Sequence, residues 1–279
     1  MDSYPRPEVL KEADLVARLA DLGSVVVAYS GGVDSTYLAE IAHRTLGERT
    51  LAVTAVSPSL AAREARAART LARSRGWNHL EARTHELDRP EYVANGADRC
   101  YWCKTELIEV LAPIAAPLGA PVALGTNTDD LADYRPGLRA ARENEAIAPL
   151  VDSRLGKTDI RSLSARIGLP TADKPAGPCL ASRIAYGVRV TPQRLRRVDR
   201  AEAYLRSLGF VELRVRDHGD LARIEVPTPD IEAVTSRREE IAAHLMDLGF
   251  RYVTVDLEGF RSGSLNEALG APTIRRSQG

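Results

Sequence analysis

The apolar positions change period repeatedly along the first half of the chain. Val25-Val26-Val27-Ala28-Tyr29 is a short apolar run rich in β-branched residues, the pattern of a parallel strand covered on both faces. Before it, Val9, Leu10, Ala13, Val16, Ala17 and Ala20 recur at helical spacing and predict a helix over residues 5–22. After it, helical spacing runs to about Leu46, and residues 50–56 read as a second strand. Residues 61–75 read as an alanine- and arginine-rich helix closed by Gly76, and 78–83 as a third strand. Residues 104–118 are helical at least in their first half, and 122–124 form a short strand. Alternation of this kind predicts an α/β fold with a doubly wound parallel sheet, its ligands at the carboxyl ends of the strands. The polar loops at 30 and 126 are then expected to face one crevice.

The pattern changes near Pro170. Lys174-Pro175-Ala176-Gly177-Pro178 is too proline-rich for a helix or a central strand and reads as an ordered linker. Beyond it come a helix (192–208), strands at 211–216 and 222–226 around a Gly219-Asp220 hairpin, a helix (228–248) and a strand (251–257). This predicts a smaller C-terminal α+β domain, with the chain divided into 1–175 and 176–279.

The first strand runs into Ser30-Gly31-Gly32-Val33-Asp34-Ser35. Gly31 and Gly32 allow positive φ and close approach of a ligand, and Asp34, Ser35 and Thr36 offer capping oxygens to the helix that follows. The unpaired N–H groups of a first helical turn and the positive end of its dipole favour an anion. No G-x-x-x-x-G-K-[ST] occurs in the chain and no lysine is near the turn, so this is not the common nucleotide loop.

Composition narrows the partners. Over 279 residues, 38 Lys and Arg balance 38 Asp and Glu, so no overall field draws nucleic acid or an anionic membrane, and neither is expected as a partner. No stretch approaches the ~18 apolar residues of a membrane span, and no apolar run follows Met1, which points to the cytoplasm. The three cysteines make a poor disulfide framework and agree with a reducing compartment.

Those cysteines form the second informative constellation. Arg99-Cys100-Tyr101-Trp102-Cys103-Lys104 carries a C-x-x-C pair, and Cys179 lies in Pro178-Cys179-Leu180-Ala181-Ser182-Arg183. Three thiolates suit an iron–sulfur cluster with one iron open to an exogenous ligand. Structural zinc needs a fourth ligand, for which His79 or His85 is the sequence-nearby candidate. A redox dithiol or a thiol relay without metal is a further option, though a dithiol needs only Cys100 and Cys103.

The Ser-Gly-Gly-Val-Asp-Ser order resembles the pyrophosphate loop of the ATP pyrophosphatases, which include NAD and GMP synthetases, argininosuccinate synthetase and tRNA-thiolation enzymes. The order of further motifs is more specific. Arg-Cys-x-x-Cys-Lys, Asp133-Tyr-Arg-Pro-Gly137, Pro-Cys-Leu-Ala-Ser-Arg and Asp256-Leu-Glu-Gly-Phe-Arg-Ser-Gly-Ser-Leu-Asn266 follow in turn, and together they resemble the LarE family over nearly the whole chain. That resemblance implies an ATP-dependent sulfur transferase of nickel-pincer cofactor synthesis, acting on pyridinium-3,5-biscarboxylic acid mononucleotide. It implies that Ser30, Gly31, Gly32, Asp34 and Ser35 hold pyrophosphate, with Asp34 near Mg2+. Asp129 and Asp130 are candidate contacts for the nucleotide or the magnesium, with a solvated N-cap as the competing account.

One branch of the family keeps only the equivalent of Cys179 and gives up its own sulfur. With Cys100 and Cys103 present as well, this chain resembles members that bind a [4Fe-4S] cluster and pass on a sulfide from an external sulfide donor. Arg183 is a candidate contact for the substrate or the adenylate, and Arg214, Arg216 and Arg261 resemble the family's anchors for the substrate phosphate. Arg214 and Arg216 sit at alternate strand positions and so share a face, for which a solvated strand face is the competing account. Glu202 and Asp230 resemble family site residues, with helix-surface charges as the competing account, while Arg194, Arg196, Arg197 and Arg200 read as a solvated basic run. A homo-oligomer is expected. A tRNA-thiolating enzyme and a non-catalytic nucleotide-binding module remain the alternative functions.

Overall fold

The computed structural model describes residues 6–132, 136–175, 177–261 and 264. Asp133, Tyr134 and Arg135 of one family motif, Ala176 of the linker and most of the last motif beyond Arg261 lie outside the described residues.

The chain divides into two compact units. One comprises Met1–Glu86 and Cys100–Gly177, the other Leu87–Arg99 and Pro178–Gly279. Strands β1 (Val25–Ala28), β2 (Thr50–Val56), β3 (His79–Arg83) and β4 (Val122–Leu124) of the first unit form a sheet in the order β3-β2-β1-β4. All three pairings are parallel. Alternate side chains of β1 serve opposite faces, as the pleat requires. Val25 and Val27 join a core with Leu15, Leu19, Leu38, Ala72, Ile160 and Leu163, whereas Val26 packs with Val53, Ile108, Leu111 and Ala115. Helices therefore cover both faces, and the fold is the doubly wound α/β type. The strand order reverses between β1 and β4, so the crevice for a ligand opens beyond their carboxyl ends.

In the second unit, β5 (Arg214–Asp217) and β6 (Leu221–Glu225) form an antiparallel hairpin, and β7 (Tyr252–Val255) pairs parallel with β6. The helix Pro192–Ser207 opens this region, capped by Thr191, whose side chain accepts from the Arg194 N–H at 3.2 Å. The expected helix over 228–248 is two helices, Ile231–Ser236 and Arg238–Asp247. Thr235 and Ser236 direct their hydroxyls to the carbonyls of Glu232 and Ala233 at 3.0 and 2.9 Å, local bonds that compete with the helical ladder just where it stops.

Residues 87–99 cluster with the second unit because of Asn95. This fully buried residue sits in the left-handed region at φ 59° after the short helix Pro90–Ala94. Its amide nitrogen donates to the carbonyls of Ile184, Ala185 and Val188 at 3.2, 2.8 and 2.9 Å. Its side-chain oxygen accepts from Arg99. Among the described residues no helix is long and apolar enough to cross a membrane.

Candidate functional site

The turn after β1 is built as an anion cradle. The helix Val33–Leu46 begins at Gly32, which is in extended conformation and supplies no side chain, so the expected caps Asp34, Ser35 and Thr36 are first-turn residues instead. Ser35 Oγ folds back to accept from the Ser30 N–H at 3.1 Å and lies 3.0 Å from Ser30 Oγ. Gly31 takes φ 72°, and a Cβ there would stand 3.0 Å from Ala68 Cβ, so glycine is required by both conformation and space. Gly125, at the end of β4, is equally constrained: a Cβ would lie 2.8 Å from the Ser35 nitrogen. The two polar loops thus meet beyond the switch point, as expected.

The carboxylate of Asp34 is asymmetric. Oδ2 accepts from the Lys157 ammonium, while Oδ1 is buried with no hydrogen-bond partner. A buried oxygen of this kind fits a hard cation such as Mg2+. Asp129 accepts from the main-chain N–H of Lys157, and Asp130 from that of Asn127 at 3.1 Å, so both carboxylates brace loops at this end of the sheet. Asn127, 1% exposed, carries an amide nitrogen without a partner. Lys174 donates to the Gly31 carbonyl at 2.8 Å and to Glu64 at 2.5 Å. Reading the sequence for a lysine near the turn missed Lys157 and Lys174, because they are 123 and 143 residues away from the loop residues they bind.

Cys100 and Cys103 lie on the first turn of the helix Arg99–Ala115, which begins five residues before the expected 104. Three residues apart, they occupy one side of that helix, and neither is in a disulfide. Cys179 is an exposed free thiol in the second unit, at the N-terminal end of the short 3-10 turn Leu180–Arg183. Arg183 is 4% exposed and grips this turn. One of its nitrogens donates to the carbonyls of Pro178 and Cys179, the latter at 3.1 Å, while Nε bonds Glu202 at 3.0 Å. Arg99, the residue before Cys100, donates to the Ala181 carbonyl at 3.0 Å, two residues beyond Cys179. His79 shares a 2.8 Å hydrogen bond with Thr54 Oγ1, and burial pushes its imidazole pKa down. No group of three or more His, Cys, Asp or Glu side chains that could hold a metal ion is assembled among the described residues.

The arginines of the second unit are knitted into carboxylates. Glu202 is buried rather than a helix-surface charge, accepting from Arg183, from Arg206 at 3.0 Å and from the Val215 N–H at 3.3 Å. Burial alone would raise its carboxyl pKa, but the guanidiniums of Arg183 and Arg206 outweigh it and hold it below the usual range. Arg216, 5% exposed, binds Glu225 through Nε at 3.0 Å, the Ser182 carbonyl at 2.9 Å and Ser264 Oγ at 3.0 Å. Arg194 and Arg197 are not simply solvated: both bind the fully buried Asp217, at 2.8 and 2.7 Å, and share its charge beside the hairpin turn.

Arg214 differs from these. It stacks 5.0 Å from the Phe260 ring, and its pKa falls to about 10, first through burial and then through repulsion from Arg183, with Arg216 and Arg206 adding to it against Glu202. Arg261 contacts Glu258 at 3.0 Å and the Gly259 carbonyl at 3.2 Å. Asp230 ends the 3-10 turn Thr228–Asp230 and is half-buried.

No protein-family model matches the chain. It is 40% identical over 262 residues to the pyridinium-3,5-bisthiocarboxylic acid mononucleotide synthase of Lactiplantibacillus plantarum, covering 93% of this chain and 95% of that one. It is also 45% identical over 252 residues to an uncharacterized protein of Synechocystis sp., covering 89% of this chain and 94% of the relative. An uncharacterized protein of Methanocaldococcus jannaschii is 30% identical over 239 residues, 85% of this chain and 91% of that one.

Proposed function

The chain belongs to the family of pyridinium-3,5-bisthiocarboxylic acid mononucleotide synthases, the LarE family, and from that premise we propose that it is an ATP-dependent sulfur transferase acting on pyridinium-3,5-biscarboxylic acid mononucleotide. The observation that carries this reading is the Ser30–Ser35 turn at the β1/β4 switch point, with an unpartnered carboxylate oxygen on Asp34. A carboxylate is a poor target for a sulfur nucleophile because its leaving group is oxide. Transfer of AMP from ATP to a carboxylate oxygen releases pyrophosphate and converts that oxygen into a good leaving group. Sulfur then bonds to the acyl carbon, the C–O bond to AMP breaks, and the product is the thiocarboxylate. In this reading Ser30, Gly31, Gly32 and Ser35 hold the departing pyrophosphate. Asp34 holds Mg2+ through Oδ1, and Asp129 and Asp130 keep the neighbouring loop in place.

The sulfur source is proposed to be a [4Fe-4S] cluster on Cys100, Cys103 and Cys179, which when bound leaves one iron without a protein ligand and supplies sulfur there. What supports this is the donor chemistry: all three are cysteines outside any disulfide, and two share the first turn of one helix, although the three side chains are not assembled into a metal-binding group among the described residues. Arg183 orients the Cys179 turn. Arg214 and Arg261 are the proposed anchors for the substrate phosphate, with Arg216, Glu202 and Asp230 shaping that region.

The test is anaerobic incubation of the protein with MgATP and the biscarboxylic mononucleotide. Substrate-dependent pyrophosphate and a thiocarboxylate product are expected, and their absence would overturn the assignment. Cys100→Ala, Cys103→Ala and Cys179→Ala should each remove iron, acid-labile sulfide and sulfur transfer, with the wild-type polypeptide mass unchanged after turnover. Transfer retained in the Cys100→Ala, Cys103→Ala double variant, with Cys179 left as dehydroalanine and the chain lighter by the elements of hydrogen sulfide, would establish the sacrificial route instead.

A further inference from the structure

The Gly31–Gly32 peptide is the most easily reoriented unit of the loop, since neither residue carries a Cβ to bar alternative dihedral angles. Its orientation matters because a trans peptide is planar and its C=O and N–H point opposite ways. Turned one way, Gly32 offers its N–H to an anion; turned the other, Gly31 offers a carbonyl oxygen that repels it. The Gly32 N–H has only a 3.4 Å contact with Ser30 Oγ, longer than an ordinary N–H···O bond, so it remains available to a stronger acceptor.

The carbonyl end is held firmly. Lys174 Nζ lies 2.8 Å from the Gly31 oxygen, and the same ammonium binds Glu64 at 2.5 Å. Lys174 is itself fixed at the main chain, its N–H donating to the Thr171 carbonyl at 3.0 Å and its carbonyl accepting from Arg161 at 2.8 Å. A side chain anchored at both ends is a rigid clamp rather than a roaming surface charge, and its target is the one peptide whose flip would close the cradle.

We propose that Lys174 is a positioning residue for pyrophosphate binding: it holds the Gly31 carbonyl away from the cradle and thereby keeps the Gly32 N–H aimed at the anion. The proposal rests on the pyrophosphatase reading of the loop and adds a residue outside its sequence motif. It makes an asymmetric prediction, because the clamp serves the pyrophosphate part of the nucleotide and not the nucleoside.

Isothermal titration with magnesium pyrophosphate and, separately, with AMP tests this in the wild type and in Lys174→Met, Lys174→Arg and Glu64→Gln. Lys174→Met should bind pyrophosphate about 10- to 100-fold more weakly, with AMP affinity within about twofold of the wild type. Lys174→Arg, which keeps a charged donor, and Glu64→Gln, which keeps the lysine, should stay within about threefold for pyrophosphate. Thermal melting of each variant reports whether the fold survives, and Lys174→Ala, with the same expected loss, takes the place of Lys174→Met if that variant does not fold. Unchanged pyrophosphate affinity in Lys174→Met, an equal loss for AMP, or full reproduction of the loss by Glu64→Gln would overturn the proposal. The last result would mark Lys174 as a staple to Glu64 alone. A wild-type protein that binds AMP but no pyrophosphate would overturn the loop assignment itself, a separate failure.

Discussion

At the loop of the first unit a carboxylate keeps one buried oxygen open, where the buried carboxylates Asp217, Glu202 and Glu225 of the second unit are bound at both oxygens. Around the loop after β1, Asp34 Oδ1 and the Asn127 amide nitrogen are buried without hydrogen-bond partners. In the second unit Asp217 is fully buried, with both oxygens bound by Arg197 and one also by Arg194, while Glu202 gathers two guanidiniums and a main-chain N–H. Charge is concentrated in both places, so charge density alone does not identify a ligand site. An open carboxylate oxygen beside the glycine turn adds what charge density lacks: a buried polar atom left unpaired costs stability, and one placed at a helix N-terminus points to a ligand that completes it. The difference also predicts which substitutions damage activity and which damage the fold.

The largest contrast is expected at Asp34. Asp34→Ala should abolish pyrophosphate formation, while its effect on stability stays within about 1 kcal/mol because the Lys157 pair it removes is partly exposed. An unchanged rate of pyrophosphate release would remove the functional contrast, and a collapsed melting temperature would make Asp34 another closed structural pair.

Glu202→Ala should act in the opposite sense, costing about 3–5 kcal/mol in unfolding experiments because it leaves the buried Arg183 and the part-buried Arg206 without their counter-charge. The pH dependence follows from the same contacts. The folded carboxyl pKa lies below the ordinary value of 4.5, so its stabilisation is fully present above pH 4.5 and is lost as pH falls through the depressed folded value. Glu202→Gln should flatten that acid limb of the stability profile. An acid limb as steep as the wild type's would assign the proton linkage to other carboxylates.

How far these features could be read from the chain depended on their range in sequence. The strands Thr50–Val56 and Val122–Leu124 and the turn at Ser30 are set by adjacent residues, and the run of apolar and glycine positions discloses them directly. The cap at Gly32 was harder, because the oxygens that look like caps, on Asp34 and Ser35, fall inside the first turn. Lys157 and Lys174 carry no local sign of their destination; only the packing of the helix Lys157–Arg166 and the turn at Thr171 brings them to the loop. The basic stretch from Arg194 to Arg200 shows the converse error. Its arginines look solvated in sequence, yet Arg194 and Arg197 neutralise Asp217, 23 and 20 residues on. Glu202 likewise belongs to a helix whose surface pattern says nothing about the Cys179 turn that Arg183 ties to it.

Arg214 is the finest test, because it lies in the second unit among paired arginines yet has its own pKa pulled down by burial and by them. Burial and the neighbouring Arg183 pull its guanidinium down to about 10, so it is still charged at neutral pH but is held there against repulsion. A bound phosphate would relieve that repulsion, whereas the carboxylates already in place leave it standing. Arg214→Ala should therefore weaken binding of the mononucleotide by about 1.5–3 kcal/mol, the usual worth of a charge-assisted hydrogen bond, with ATP affinity unchanged. Its melting temperature should stay closer to the wild type's than that of Glu202→Ala, since the substitution removes a cation held against its neighbours' repulsion and leaves Glu202 its bonds to Arg183 and Arg206. Calorimetric titration with each ligand, beside a thermal melt, measures both quantities. Equal losses for the two ligands would deny Arg214 a separate phosphate site, and a melting temperature as low as that of Glu202→Ala would return it to the structural network.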